Sequence, residues 1–185
     1  MAEFRLHNCV VRVTRGDITE LDVDAIVHDA RSDMLLAAGY GGAIAVRGGS
    51  AVKEQARNLA PVPAGEAVVT TGGKLKAKFV IHAVGPKFRE EGEEAKLRSA
   101  TISALKRAVE AGASTLGLPP LGTGFYGMPV DLCAAVMVEA VAEYLRTANR
   151  LSEITFCVRD TWDIAPFERR LSAMSPRDDQ DNKGR

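Results

Sequence analysis

An excess of charge is the first thing missing from this 185-residue sequence. Its 24 lysines and arginines face 24 aspartates and glutamates, so no net field would hold nucleic acid by charge alone. Cysteine is scarce too. Cys9, Cys133 and Cys157 lie far apart in apolar runs, and an odd count without metal-ligand spacing fits buried free thiols in a reducing compartment. The histidines His7, His28 and His82 share no ligand spacing with those cysteines, so neither a metal site nor a cofactor is expected. No apolar run is long enough to span a bilayer, and the N-terminus interleaves charged and apolar residues, unlike a signal peptide. The expectation is a cytoplasmic protein. Internal repeats and signs of a second domain are also lacking. What remains, 46% apolar and 26% charged residues, is the composition of an ordinary globular chain.

The pattern along the chain alternates strands with helices. Cys9–Arg15 is β-branched and partly alternating, and Asp24–Val27 is a short apolar run of the buried-strand kind. The irregular segment from His28 to Gly42 follows, with a helical pattern resuming at Ala43. A second helix is expected from Ser50, as N-cap, to about Asn58. Strands are predicted at Ala67–Thr71 and Phe79–Val84, and a helix over Glu90–Ala111 with Gly112 as its stop. Thr115–Leu118 reads as a buried strand, Val130–Leu145 as the most apolar helix, Ile154–Val158 as a strand and Phe167–Leu171 as a last short helix. The fold class implied is α/β: a three-layer α/β/α sandwich around a mixed, mainly parallel sheet. Residues 1–173 form the domain, and 174–185 read as a polar, disordered tail. Ligands in such folds bind beyond the carboxyl ends of strands, which singles out the loops 16–21, 28–42 and 121–129.

The third loop contains Gly122-Thr123-Gly124-Phe125-Tyr126-Gly127, a G-x-G-x-x-G match. A dinucleotide fingerprint also needs an acidic residue at the end of the next strand, roughly 20 residues on. Here that distance falls within a helix, near Glu139 or Glu143, and bulky Phe125 and Tyr126 stand where backbone should approach phosphate. The dinucleotide reading fails. The phosphate physics survives, because backbone N–H groups of Gly122, Thr123 and Gly124 at a strand-to-helix turn can point at one anion. The alternative is a tight turn with no ligand.

Three separated motifs, "RGDITELDVDAIV" (Arg15–Val27), "GEAVVTTGGKLKAKFVIHAVGP" (Gly65–Pro86) and "LPPLGTGFYGMP" (Leu118–Pro129), together resemble the macrodomain family of ADP-ribose-binding modules. The resemblance runs from Val11 to about Leu171 and implies the same layered fold. It implies that Asp17 accepts from the adenine amino group while the Ile18 N–H contacts the ring. A carboxylate accepts and does not donate, which would select adenine over guanine. The alternative for Asp17 is a turn or capping role. The 122–127 loop becomes the pyrophosphate loop, with Tyr126 against the distal ribose. Where the family carries an aromatic on adenine, this sequence has Arg159, either stacked on the base or paired with Asp160. The ligand-binding set so implied is Asp17, Ile18, Arg31, Gly39, Tyr40, Gly41, Gly122, Thr123, Gly124, Phe125, Tyr126, Arg159 and Asp160.

The loop after Val27 departs from the family. Hydrolytic relatives read Asn-Ala-Ala-Asn and then a glycine run with an aspartate. Here His28 and Arg31 stand at the asparagine positions, Leu36, Ala37 and Ala38 replace early glycines, and Gly41 takes the place of the aspartate. Gly41 cannot orient water. The replacement candidates for catalysis are His28 and Asp29, with Asp33 nearby; a histidine titrates near neutrality, although one at a strand end also serves as a structural residue. His82 reads as a packed strand residue. The expected partner is ADP-ribose or an ADP-ribosylated protein, bound by a monomer with no membrane or direct nucleic-acid contact. Three functions stay open: a reader, a divergent ADP-ribosyl hydrolase acting on acidic side chains or O-acetyl-ADP-ribose, and a site whose altered loop selects another nucleotide.

Overall fold

Seven apolar or β-branched segments pair into one sheet in the computed structural model, which describes residues 2–37, 39–147 and 150–175. The strands are β1 (Glu3–Leu6), β2 (Cys9–Arg15), β3 (Ala25–Asp29), β4 (Ala67–Thr71), β5 (Phe79–Ala83), β6 (Thr115–Leu118) and β7 (Glu153–Val158). Their order is β1-β2-β7-β6-β3-β5-β4. The inner run from β2 to β5 is parallel, and the edge strands β1 and β4 are antiparallel to their neighbours. This is the mixed, mainly parallel sheet expected from sequence.

Because side chains alternate across a strand, the inner strands β3, β5 and β7 feed two cores. On one face, helices α1 (Gly39–Gly48) and α2 (Ser50–Leu59) lay Ile44 and Val52 over Ile26, Val80 and Cys157. On the other, α3 (Glu93–Glu110), α4 (Val130–Tyr144) and α5 (Ile164–Met174) pack Leu97, Met137 and Phe167 over Val27, Ile81 and Phe156. Cys9, Cys133 and Cys157 are buried free thiols. No helix among the described residues is long and apolar enough to cross a membrane.

Several boundaries differ from the sequence expectation. α1 begins at Gly39, four residues before Ala43, because burial of Gly41 and Ile44 against the sheet overrides the weak helix propensity of the glycines. Ser50 is the first residue of α2 and not its cap; Gly49, at φ 88°, holds the cap position without a side-chain bond. α3 starts at Glu93, after a left-handed Gly92. β1 was not anticipated, since Leu6 is its one buried side chain and pairing with β2 supplies the rest. α5 is longer than Phe167–Leu171, and Ser175 beyond it joins the first strand through its hydroxyl, which accepts from the Arg5 N–H at 3.2 Å. The remainder of the expected tail, 176–185, lies outside the described residues.

One carboxylate ties the start of β3 to the start of β6. Asp24, just before β3, accepts from the Ser114 N–H (2.9 Å), the Ser114 hydroxyl (2.8 Å) and the Thr115 N–H (3.2 Å). Those bonds, with Lys78, hold its carboxyl well below the usual range.

Candidate functional site

β7, β6 and β3 are neighbours, and their carboxyl ends point to the same side of the sheet. The loops leaving them, with the N-terminus of α1, enclose a cavity of about 510 Å³. His28, Asp29 and Arg31 form its floor and one rim, Gly39, Tyr40 and Gly41 a wall, Thr123 to Tyr126 the facing wall, and Arg159 and Asp160 the far end. Among the described residues no three His, Cys, Asp or Glu side chains converge as metal ligands would.

The floor is built by register. His28 on β3 is paired with His82 on β5, so both rings project from the α1/α2 face of the sheet. Their Nδ1 atoms lie 3.0 Å apart, and His82 Nε2 lies 2.8 Å from the Thr70 hydroxyl on β4, which donates to the Thr71 carbonyl at 3.1 Å. Both histidines are buried, at 4% and 0% exposure, and burial pushes His28 down to about 4 and His82 down to about 3, with the neighbouring ring adding to the latter. Above His28 stands Gly41. A Cβ there would lie 2.9 Å from His28 Nε2 and 3.4 Å from the Leu36 Cα, so glycine is required by the ring beneath it.

Asp29 projects to the opposite face. Its carboxylate accepts the Gly122 N–H at 3.0 Å, and Gly122, at φ +76°, turns the chain to make that contact. Burial pushes the Asp29 carboxyl up to about 7, against the opposing pull of the Gly122 bond. Gly85 gives this bond room, since a Cβ there would stand 3.3 Å from the Gly122 nitrogen. Of the three backbone N–H groups expected to face one anion, that of Gly122 is bonded to Asp29 in this structure. Thr123 and Gly124 line the cavity, with the Thr123 hydroxyl donating to the Pro120 carbonyl.

Phe125 and Tyr126 meet edge to face at the rim, ring centroids 5.5 Å apart. Phe125 is 78% exposed, so it is no part of the core. Arg31 lies over it, 5.0 Å from the ring centroid, and pairs with Asp33 at 2.6 Å. Arg31 thus closes over the rim and is not bonded to Asp29.

At the far end, Asp17 caps the short turn Ile18–Glu20. One oxygen accepts from the Thr19 N–H (2.9 Å) and hydroxyl (2.6 Å), and the other faces Arg47 at 3.3 Å. Burial alone would raise this carboxyl, but the Thr19 bonds and Arg47 bring it below its ordinary value. Asp17 and buried Ile18 do not line the cavity itself. Arg159 forms no ion pair with Asp160 among the described residues; its guanidinium lies 5.9 Å from the Tyr40 ring centroid. His82 is the packed strand residue that the sequence suggested, but its link to His28 and Thr70 was not readable, nor was Asp163, which lines the cavity from the turn after β7.

The family model described as Macro domain matches residues 27–137. A protein of Sulfurisphaera tokodaii is 42% identical over 171 residues, covering 88% of this chain and 93% of its own. A macro domain-containing protein from the gbd 3′ region of Cupriavidus necator is 39% identical over 168 residues, covering 88% and 97%. Among solved structures, the Oceanobacillus iheyensis macrodomain with ADP superposes with a TM-score of 0.87 at 23% identity, over 94% of this chain and 95% of that one. The Trypanosoma brucei macrodomain in complex with ADP-ribose gives 0.79 at 27% identity, over 86% and 68%.

Proposed function

Because this chain belongs to the macro domain family, we propose that its cavity binds ADP-ribose, free or attached to a protein, and that the protein acts as a reader. The observation that carries this reading is convergence. The segments around His28–Gly41, Thr123–Tyr126 and Arg159–Asp160, far apart in sequence, surround one cavity of about 510 Å³, a size suited to a nucleotide-sized ligand. In this reading the Thr123–Gly124 backbone receives the pyrophosphate, Tyr126 lies beside the distal ribose, and Arg159 lies over adenine with Asp17 at its edge. The ADP-ribose complex of the Trypanosoma brucei relative supports the ligand class. The protein works as a monomer whose macromolecular partner is the modified protein, with no membrane or nucleic-acid contact.

The test is calorimetry of the full chain with ADP-ribose, AMP and ribose 5-phosphate, alongside thermal melting. ADP-ribose at a hundred times its dissociation constant stabilises the fold by about 2.7 kcal/mol. An unmoved melting temperature at millimolar ADP-ribose would sink the reading, and tighter binding of ADP than of ADP-ribose would favour a different nucleotide.

One observation favours the hydrolase alternative. Asp29, with a carboxyl near 7, shares the cavity with His28, so a group able to exchange protons at neutral pH is present. Release of ADP-ribose from a glutamate-linked protein, abolished by Asp29→Ala or His28→Ala, would establish turnover; no release by wild type leaves the reader.

A further inference from the structure

The polar chain beneath the cavity admits two proton arrangements, and one of them keeps an extra hydrogen bond. In that arrangement the one hydroxyl proton of Thr70 goes to the Thr71 carbonyl, so its oxygen meets His82 Nε2 as an acceptor. His82 therefore carries its proton on Nε2. A neutral imidazole has a single N–H, so His82 Nδ1 is bare, and the 3.0 Å contact is completed by a proton on His28 Nδ1. That leaves His28 Nε2 as an unprotonated lone pair. Reversing every proton would forfeit the bond from Thr70 to Thr71, and burial of both rings opposes a charged form.

The position of that lone pair is set by a missing side chain. The space a Cβ at Gly41 would fill lies 2.9 Å from Nε2 and 3.3 Å from the adjoining ring carbon, and both His28 and Gly41 line the cavity. We infer that His28 Nε2 is a fixed hydrogen-bond acceptor for a sugar hydroxyl of the ligand, with His82 and Thr70 as the positioning residues that hold its tautomer. A bare ring nitrogen accepts from a hydroxyl and repels the lone pairs of a phosphate or carbonyl oxygen. The floor at His28 thus takes the hydroxyl-bearing part of the ligand, and the phosphates belong to the Thr123–Gly124 side. Gly41 determines specificity by leaving the ring its place. The sugar assignment rests on the ADP-ribose reading; the proton positions do not.

Nitrogen-15 NMR of the histidine-labelled full chain at pH 7 is the test. In the free protein, His28 is expected to show a protonated Nδ1 and an unprotonated Nε2, and His82 the reverse. ADP-ribose should move the His28 Nε2 resonance towards the hydrogen-bonded range, while AMP leaves it in place. Thr70→Val should mix the tautomers and weaken ADP-ribose about tenfold with AMP affinity held within about twofold, and Gly41→Ala should weaken ADP-ribose at least as much. A protonated His28 Nε2 in the free wild type overturns the inference without any ligand present. So does an unmoved Nε2 while calorimetry reports ADP-ribose bound. A wild type with the expected tautomer and no ADP-ribose binding overturns the functional reading, and the sugar assignment with it.

Discussion

Asp29 and the two histidines pull stability in opposite directions with pH. The Asp29 carboxyl is raised to about 7 from its ordinary value of 3.8, so the folded state holds a proton that the unfolded chain has lost between those limits. Its contribution is complete in acid and fades as pH rises through 7. His28 and His82, lowered to about 4 and about 3 from 6.5, do the reverse. The unfolded chain takes up their protons first, and each costs up to about 1.4 kcal/mol per pH unit as pH falls below 6.5. Urea unfolding between pH 7 and pH 5 should therefore show a loss of stability that a His28→Asn/His82→Phe variant largely removes. A diphosphate arriving over Asp29 favours its neutral form, so ADP-ribose should bind with proton uptake near pH 7. Calorimetry in buffers of different ionisation heat should detect that proton in wild type and lose it in Asp29→Asn, which keeps an oxygen for the Gly122 N–H. Residues at this scale were half legible in sequence. His28 and Asp29 stood out by their place in the motif, but nothing local tied His28 to His82, 54 positions away, or to Thr70, because strand register makes that link.

Among the elements, the turn at Ile18–Glu20 shows how one side chain can carry two duties. Asp17 was readable either as a cap or as an adenine acceptor, and the cap is present in full, with an oxygen facing Arg47 left for a ligand to contest. The duties separate by substitution. Asp17→Asn keeps a capping oxygen and should hold stability within a few tenths of a kcal/mol, whereas Asp17→Ala should cost about 1 kcal/mol in chemical denaturation. Weaker ADP-ribose binding by both variants would assign the ligand role to the carboxylate; weakening by Asp17→Ala alone would assign it to the shape of the turn. Strands β4, β5 and β6 were legible because their apolar runs stand beside Gly or Pro. The start of α1 was not: Gly39, Tyr40, Gly41 and Gly42 have poor helix propensity, and only the sheet beneath them makes the helix.

At the scale of the molecule, the parallel sheet ends in antiparallel edges, and the first of them is held by a bond between the two ends of the described chain, Arg5 to Ser175. Deleting residues 1–8 would bare the edge of β2, and sedimentation velocity should then show stronger concentration-dependent association than for the full chain. The layered fold was legible from alternation alone, while β1 was not, having a single buried residue to announce it. Strand β3 has one more consequence. Its last two residues, His28 and Asp29, face opposite sides of the sheet, one beneath Gly41 and the other bonded to the loop that begins at Gly122. A single peptide unit therefore joins the two walls of the cavity like the pin of a pair of tongs. A fragment that fixes the 122–126 loop should preset the opposite jaw. AMP and ribose 5-phosphate, added together, should accordingly bind with positive cooperativity, each tightening the other by the same factor in a two-ligand titration.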